Sequence, residues 1–238
     1  MGTNTSIAWT DHSWNPWTGC HKVSPGCGEC YMHREKKRYG QDPSTVVRSK
    51  PPTFNAPRKW KDPARVFVCS WSDFFIEEAD PWRAEAWEII RSSPHLTFQI
   101  PTKRAHRIAA CLPDGWPLPN VWLGVSVENQ EAADTRIPDL LSVKAAVRFV
   151  SAEPLLGPVT LSPDAMMGLD WLIVGGESGP RCRPMEIEWM RDLQAQAAHA
   201  RICFFAKQLG GFPDKRDRME DFPEDLRVRE FPKESANG

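Results

Sequence analysis

The stretch Val121-Trp-Leu-Gly-Val-Ser-Val-Glu128 is an apolar run that ends in a carboxylate. Two later stretches have the same form, Ala146-Val-Arg-Phe-Val-Ser-Ala-Glu153 and Asp170-Trp-Leu-Ile-Val-Gly-Gly-Glu177. Short, continuous apolar runs are typical of parallel strands that are buried on both faces. The pattern therefore predicts a parallel sheet with polar groups at the carboxyl ends of its strands.

On both sides of these runs, strand and helix patterns alternate along most of the chain. The predicted strands are Ser6–Trp9, Arg65–Cys69, His95–Ile100, Val121–Val125, Ala146–Val150, Asp170–Val174 and Ile202–Ala206. The predicted helices are Glu29–Tyr39, Pro81–Arg91, Lys103–Cys111, Gln130–Leu141 and Glu186–Ala200. Such alternation predicts an α/β fold, a partial (β/α) barrel of about six or seven parallel strands. We expect the barrel to span 1–209, with a cysteine-containing loop at 11–31, a basic, Pro-rich insertion at 40–64 and a C-terminal capping tail at 210–238.

The composition is that of a globular protein in water. Hydrophobic residues make up 41% and charged residues 26% of the 238 residues, which excludes a mainly disordered or fibrous chain. Apolar runs are too short for a membrane span, and the first ten residues have no signal-peptide pattern. We therefore expect a cytoplasmic protein without membrane contact.

Three of the seven cysteines lie close together, with the spacing Cys20-x6-Cys27-x2-Cys30. Without a secretory signal, a disulfide framework is not expected, and the trio indicates a metal site. One alternative is zinc held by the three cysteines and a histidine, with His12, His21 and His33 nearby. The other is a [4Fe–4S] cluster with one open iron, at which S-adenosylmethionine can bind and be cleaved to a 5′-deoxyadenosyl radical.

Polar residues follow the predicted strands at the end where barrel enzymes carry their sites. They form the runs 70–73, 101–104, 126–129, 151–154, 175–179 and 207–208. A single run of this kind usually caps the next helix. Five or more together favour a binding site for a polar ligand.

Several of these segments resemble one known family. Trp14–Tyr31, Ser70–Phe75, Val121–Glu128, Ser151–Gly157 and Trp171–Gly179 are similar to the phage-associated three-Cys-motif family, which is related to radical S-adenosylmethionine enzymes. The resemblance extends over about residues 5 to 210. It implies a radical-S-adenosylmethionine-like partial barrel, a [4Fe–4S] cluster and S-adenosylmethionine as cofactors, and a reductant protein such as flavodoxin or ferredoxin.

The resemblance also implies roles for individual residues. Cys20, Cys27 and Cys30 would bind the cluster. Ser70, Ser72 and Asp73 would bind the methionine amino group, Ser126 and Glu128 the ribose hydroxyls, and Glu153 the ribose or the substrate. Gly175, Gly176 and Glu177 would line the cofactor, and Lys207 would meet a carboxylate or phosphate.

The chain departs from the usual radical S-adenosylmethionine motif in two ways. The first gap between cysteines is six residues rather than three, and Glu29 occupies the position before the last cysteine where an aromatic residue is usual. Tyr31 follows the trio instead. Of the remaining cysteines, Cys182 lies in a polar loop and is our candidate for a catalytic thiol or hydrogen-atom donor.

A basic stretch points to the substrate. Between Arg34 and Lys61 nine basic residues outnumber two acidic ones, and Phe54 and Trp60 lie among them. Basic side chains neutralise phosphates and aromatic rings stack on bases, so we expect a nucleic acid or nucleotide substrate, in a modification or repair reaction. A small molecule and a peptide remain alternative substrate classes. The alternative function is a non-catalytic, zinc-binding module that binds nucleic acid.

Overall fold

The computed structural model describes residues 5–233, and seven parallel strands form the main sheet of this part of the chain. Its order along the sheet is the order along the chain, so each strand pairs with the one before it. The strands are β1 (His12–Trp14), β4 (Ala64–Val68), β5 (Leu96–Thr102), β6 (Val121–Ser126), β7 (Val147–Ala152), β8 (Trp171–Gly175) and β9 (Cys203–Gln208). A separate antiparallel pair joins β2 (Trp17–Thr18) to β3 (Val47–Arg48). The predicted α/β fold with a parallel half-barrel is confirmed.

The α-helices of residues 5–233 are α1 (Tyr31–Arg38), α2 (Pro51–Phe54), α3 (Asp80–Arg91), α4 (Gln130–Leu141), α5 (Pro163–Gly168) and α6 (Ile187–Ala200). The four that follow β4 cover the outer face of the sheet. Outward-facing strand residues such as Leu123, Val150 and Leu172 pack with helix residues in the larger of two buried apolar clusters. With this layer on one face and a second apolar cluster on the other, the strands are buried on both sides, which explains their continuous apolar sequences.

The concave face of the sheet holds a second, aromatic cluster. Trp122, Phe149, Trp171 and Phe205 come from four successive strands and lie within this cluster. Alternate residues of a strand point to opposite faces, which is why these inward residues interleave with the outward ones. Gly124 lies among them because a Cβ there would lie 2.5 Å from the ring of Phe149. The aromatic layer fills the barrel toward the amino ends of the strands and leaves their carboxyl ends open.

The sheet does not close on itself, and segments from both ends of the chain cover its open side. The edge strands are β1 and β9. On β9, Ala206 donates to the carbonyl of Val228, and Arg229 forms an antiparallel bridge with Phe205. Trp9 precedes β1 and packs edge-on to Trp171, with ring centroids 6.2 Å apart.

Two predicted elements are wrong. Ser6–Trp9 is not a strand, and the first strand is His12–Trp14, a short edge strand whose polar residues concealed it. Lys103–Cys111 is not an α-helix but two 3₁₀ turns, Ala105–Arg107 and Ala109–Cys111. The arginines of this segment bond to groups on other elements, and these tertiary contacts override its helical propensity. Within residues 5–233, no helix has both the length and the apolar character needed to cross a membrane.

Candidate cofactor site

A cavity of about 560 Å³ lies at the carboxyl ends of the strands. This volume is within the range of small-molecule and cofactor sites, about 300–1,000 Å³. Its wall includes all three cysteines of the trio. Cys20, Cys27 and Cys30 follow β1 and therefore lie at the end of the barrel where enzymes of this architecture carry their sites.

The backbone on the amino-terminal side of Cys20 is fixed by contacts with neighbouring loops. The amide of Gly19 donates to the carbonyl of Trp71, and the amide of Cys20 donates to the carbonyl of Pro43, both at 3.0 Å. The carbonyl of Gly19 accepts a 2.6 Å hydrogen bond from Ser72 Oγ. The first cysteine is therefore held by the loop after β4 and by the loop before β3.

Two glutamate–arginine pairs hold the segment that carries the second cysteine. The buried carboxylate of Glu128 pairs with Arg136 of α4 at 2.8 Å and accepts a 3.4 Å hydrogen bond from the amide of Gly26. Glu177 pairs with Arg183 at 2.6 Å, and Arg183 also donates to the carbonyl of Pro25 at 2.8 Å. Both carboxylates thus act on the 3₁₀ turn Pro25–Cys27 from the ends of β6 and β8.

At both glutamates, interactions with arginine lower the pKa by more than burial raises it. Burial works to raise the pKa of Glu128, but hydrogen bonds from Arg136 and Ser24 lower it. Burial likewise works to raise the pKa of Glu177, but the hydrogen bonds from Arg183 lower it. Both carboxylates are therefore charged at neutral pH.

Asp73 organises the loop after β4. Its buried carboxylate accepts hydrogen bonds from Thr102 Oγ1 at 2.7 Å and from the amide of Lys103 at 3.0 Å. It also lies 3.5 Å from a guanidinium nitrogen of Arg104. The same guanidinium contacts the sulfur of Cys20 at 3.5 Å. Arg104 was not among the site residues predicted from sequence.

The Cys20 thiol lies in surroundings that favour its protonated form. Burial and, after it, the carboxylate of Asp73 raise the pKa of Cys20 to about 12, although Arg104 works in the opposite direction. Metal binding by this residue requires the thiolate, so ligation at Cys20 would release a proton.

The structure brings most of the predicted cofactor residues to one cavity. Its wall includes Ser70, Ser72, Asp73, Ser126, Glu153, Gly176, Glu177 and Lys207. Three predicted residues, Glu128, Gly175 and Cys182, are not part of that wall. Glu128 is turned toward Arg136, and Cys182 lies in the loop beyond Gly179. The small size of Gly176 serves the protein's own backbone, because a Cβ there would overlap the carbonyl oxygen of Leu209.

Several cavity residues already have partners within the protein. Ser70 Oγ accepts from Asn15 Nδ2 at 2.9 Å, and Ser72 and Asp73 bond as described above. Lys207 forms an ion pair with Glu153 across the cavity wall, and the hydroxyl of Tyr31 donates to the carbonyl of Ser70. Ser126 and Ser151 add hydroxyls to the wall at the ends of β6 and β7.

The three histidines near the trio in sequence have different positions in the fold. His12 begins β1, at the other end of the strand from the cysteines, and stacks on Trp60 with a centroid separation of 4.6 Å. His21 and His33 line the cavity. His21 pairs with Glu78 at 2.5 Å, and burial lowers the pKa of His33, although its hydrogen bond with the backbone of Cys20 opposes this. In the described part of the chain, no three His, Cys, Asp or Glu side chains converge on one point suited to a metal ion.

The basic stretch predicted as a nucleic-acid surface does not form one patch. Arg34 of α1 lies at the rim, beside Gly179 of the loop after β8. In contrast, Arg58 donates to Ser92 and the carbonyl of Trp60 contacts His95, both just before β5 begins. The stretch therefore runs from the cavity rim to the opposite end of the barrel. Arg48 in between is paired with Glu85 of α3.

Comparison with known proteins identifies the family. A family model described as "Protein of unknown function (DUF5131)" matches residues 4–234, nearly the whole sequence. The chain belongs to the DUF5131 family. Searches of curated proteins and of solved structures found no match to this DUF5131 member.

Proposed function

We propose that this protein is a radical S-adenosylmethionine enzyme that holds a [4Fe–4S] cluster on Cys20, Cys27 and Cys30. The observation that carries the proposal is that these three cysteines line one cavity at the carboxyl ends of a parallel half-barrel, together with serine, glutamate and lysine side chains. When bound, the cluster would supply the electron that cleaves S-adenosylmethionine. An external one-electron donor is needed, and a reducing compartment such as the cytoplasm suits this chemistry.

The donor set fits such a group. In an iron–sulfur cluster each cysteine binds a different iron, so the three thiolates need not converge on one point as ligands of a single zinc ion do. The cavity also has room for a cofactor beside the cysteines.

The protein's own groups suggest how the cofactor would be oriented. Glu153 and Lys207 present a carboxylate and an ammonium group side by side, at the ends of β7 and β9. Opposite charges of this kind suit the amino and carboxylate groups or the ribose hydroxyls of S-adenosylmethionine. Ser126 and Ser151 offer further hydroxyls. Ser70, Ser72 and Asp73 are committed to neighbouring chain segments, so we assign them to shaping the wall.

For the substrate, we propose a nucleic acid or nucleotide that is modified or repaired. Support comes from the basic residues of α1, the helix that begins directly after the third cysteine. Arg34 lies at the rim beside Gly179, and Lys37 and Arg38 follow in the last turn of the same helix. The basic residues near β5 lie toward the opposite end of the barrel, and we leave them out of the proposed surface.

The test is metal and sulfide analysis of protein purified without oxygen, with absorbance near 400 nm before and after dithionite. We expect about four irons and four sulfides per chain, a bleachable band, and 5′-deoxyadenosine on addition of S-adenosylmethionine. Cys27→Ser should lose the iron. Cys203→Ser is the matched control, because Cys203 begins β9 at the opposite end of the barrel. One zinc and no iron in the wild type would contradict the proposal and favour a zinc-binding module.

A further inference from the structure

Arg104 is a buried cation beside the first cysteine of the trio. Its side chain is 4% exposed, and its guanidinium Nη1 lies 3.5 Å from Cys20 Sγ. Its Nη2 donates to the carbonyl of His21 at 3.4 Å. One guanidinium therefore contacts both the sulfur of the first cysteine and the backbone carbonyl of the residue that follows it.

Further contacts hold Arg104 in place. Thr102 Oγ1 donates to Asp73 and accepts a 2.8 Å hydrogen bond from the amide of Arg104. Asp73 lies 3.5 Å from Arg104 Nη1, and Glu77 lies 3.5 Å from its Nε. A buried arginine with two acidic neighbours is fixed in direction, and here that direction is toward Cys20.

We propose that Arg104 is a positioning residue that raises the reduction potential of the cluster through the sulfur of Cys20. The inference rests on the proposed function, since it concerns the group held by the three cysteines. Reduction adds negative charge to a cluster, and hydrogen bonds to a ligating sulfur or a nearby cation stabilise the more negative state. Arg104 offers both.

The measurement is the midpoint potential of the protein-bound cluster, by redox titration followed by electron paramagnetic resonance. We expect Arg104→Gln to shift the potential to a more negative value. Arg104→Lys should shift it less, because lysine keeps the charge but not the planar fork of donors. The lysine variant keeps a positive partner for Asp73, and this guards against a simple loss of folding.

Arg107→Gln is the matched control. Like Arg104, Arg107 lies near Glu77, with 3.7 Å between its Nε and the carboxylate, and it also pairs with Asp80. The sulfur that it contacts is that of Cys111 rather than Cys20. Its removal should leave the potential unchanged. Equal shifts in the Arg104 and Arg107 variants, or none in the two Arg104 variants, would overturn the inference while leaving the proposed function intact. A wild-type protein without iron would overturn both.

Discussion

Gly19 sets the position of the first cysteine. Its φ of +99° lies in the region that favours glycine, and a Cβ there would overlap the carbonyl oxygen of Thr45. The close approach allows the amide of Cys20 to reach the carbonyl of Pro43. A side chain at position 19 would therefore push the start of the cysteine loop away from the loop before β3.

We predict that Gly19→Ala lowers the free energy of unfolding by about 2–4 kcal/mol, from backbone strain together with the overlap. Gly40→Ala is the control, since Gly40 also has a positive φ, +67°, but has open space around it. That variant should lose only about 1 kcal/mol. Urea denaturation measures both. Equal losses would show that the contact with Thr45 does not constrain the loop.

Sequence reasoning found the residue types of the site but not their partners. Asp73 and Glu128 were predicted because they follow buried strands, and both do lie at the carboxyl end of the barrel. That Asp73 orients Arg104, and that Glu128 pairs with Arg136, depends on distances between chain segments that spacing does not encode. The available signal for the missed arginine is the basic pair Lys103-Arg104 in the polar run that follows the predicted strand His95–Ile100.

The loop after β8 and the cysteine loop are joined by the pair of Glu177 and Arg183. Glu177 accepts two hydrogen bonds from the guanidinium and one from the amide of Arg183. The guanidinium of Arg183 also donates a hydrogen bond to the carbonyl of Pro25. Because these interactions lower the pKa of Glu177 below its ordinary value of 4.5, folding is favoured when this carboxylate is charged. The stabilisation is fully present above that value and is lost as the pH falls through the lower pKa of the folded state.

We predict that Glu177→Gln lowers the free energy of unfolding by about 1–3 kcal/mol at pH 7, because Arg183 then lacks its charged partner. The difference from wild type should shrink as the pH falls below about 4.5. Urea denaturation at a series of pH values measures it. A difference that stays constant from pH 7 to the acid limit would mean that the charge of Glu177 does not contribute.

Elements were predictable where local pattern and tertiary environment agree. Gln130–Leu141 has the bounds predicted for it, since Asn129 caps the helix by accepting from the amide of Ala132 and an apolar face packs on the sheet. The inner strands were found because burial on both faces makes them apolar throughout. The strand His12–Trp14 is not predicted because three residues at the edge of a sheet give too short a pattern. The neighbouring segment Ser6–Trp9 is apolar because Trp9 packs against Trp171 at the open side of the sheet, and it resembles a strand in sequence for that reason.

The half-barrel depends on both ends of the chain to complete its aromatic interior. Trp171 has Trp9 on one side and Phe231 on another, with a centroid separation of 5.4 Å from Phe231. The ring of Phe231 also lies 5.2 Å from that of Phe205 and 4.0 Å from the guanidinium of Arg65 on β4. The C-terminal segment thus connects β9 to the opposite part of the sheet, where no strand pairing joins the two edges.

This connection predicts that Phe231→Ala destabilises the whole barrel, by about 2–4 kcal/mol, because it removes aromatic packing and a cation–π contact at the open side. Phe212→Ala is the matched control, since Phe212 is 59% exposed and precedes the same segment. Its loss should change the stability by less than about 0.5 kcal/mol. Thermal unfolding of both variants measures the difference. If the two lose equally little, the C-terminal segment does not hold the edges of the sheet together, and the aromatic interior must be stable with the half-barrel open. If Phe231→Ala alone lowers the melting temperature, closure by this segment is part of the fold that supports the cysteine cavity at the other end of the strands.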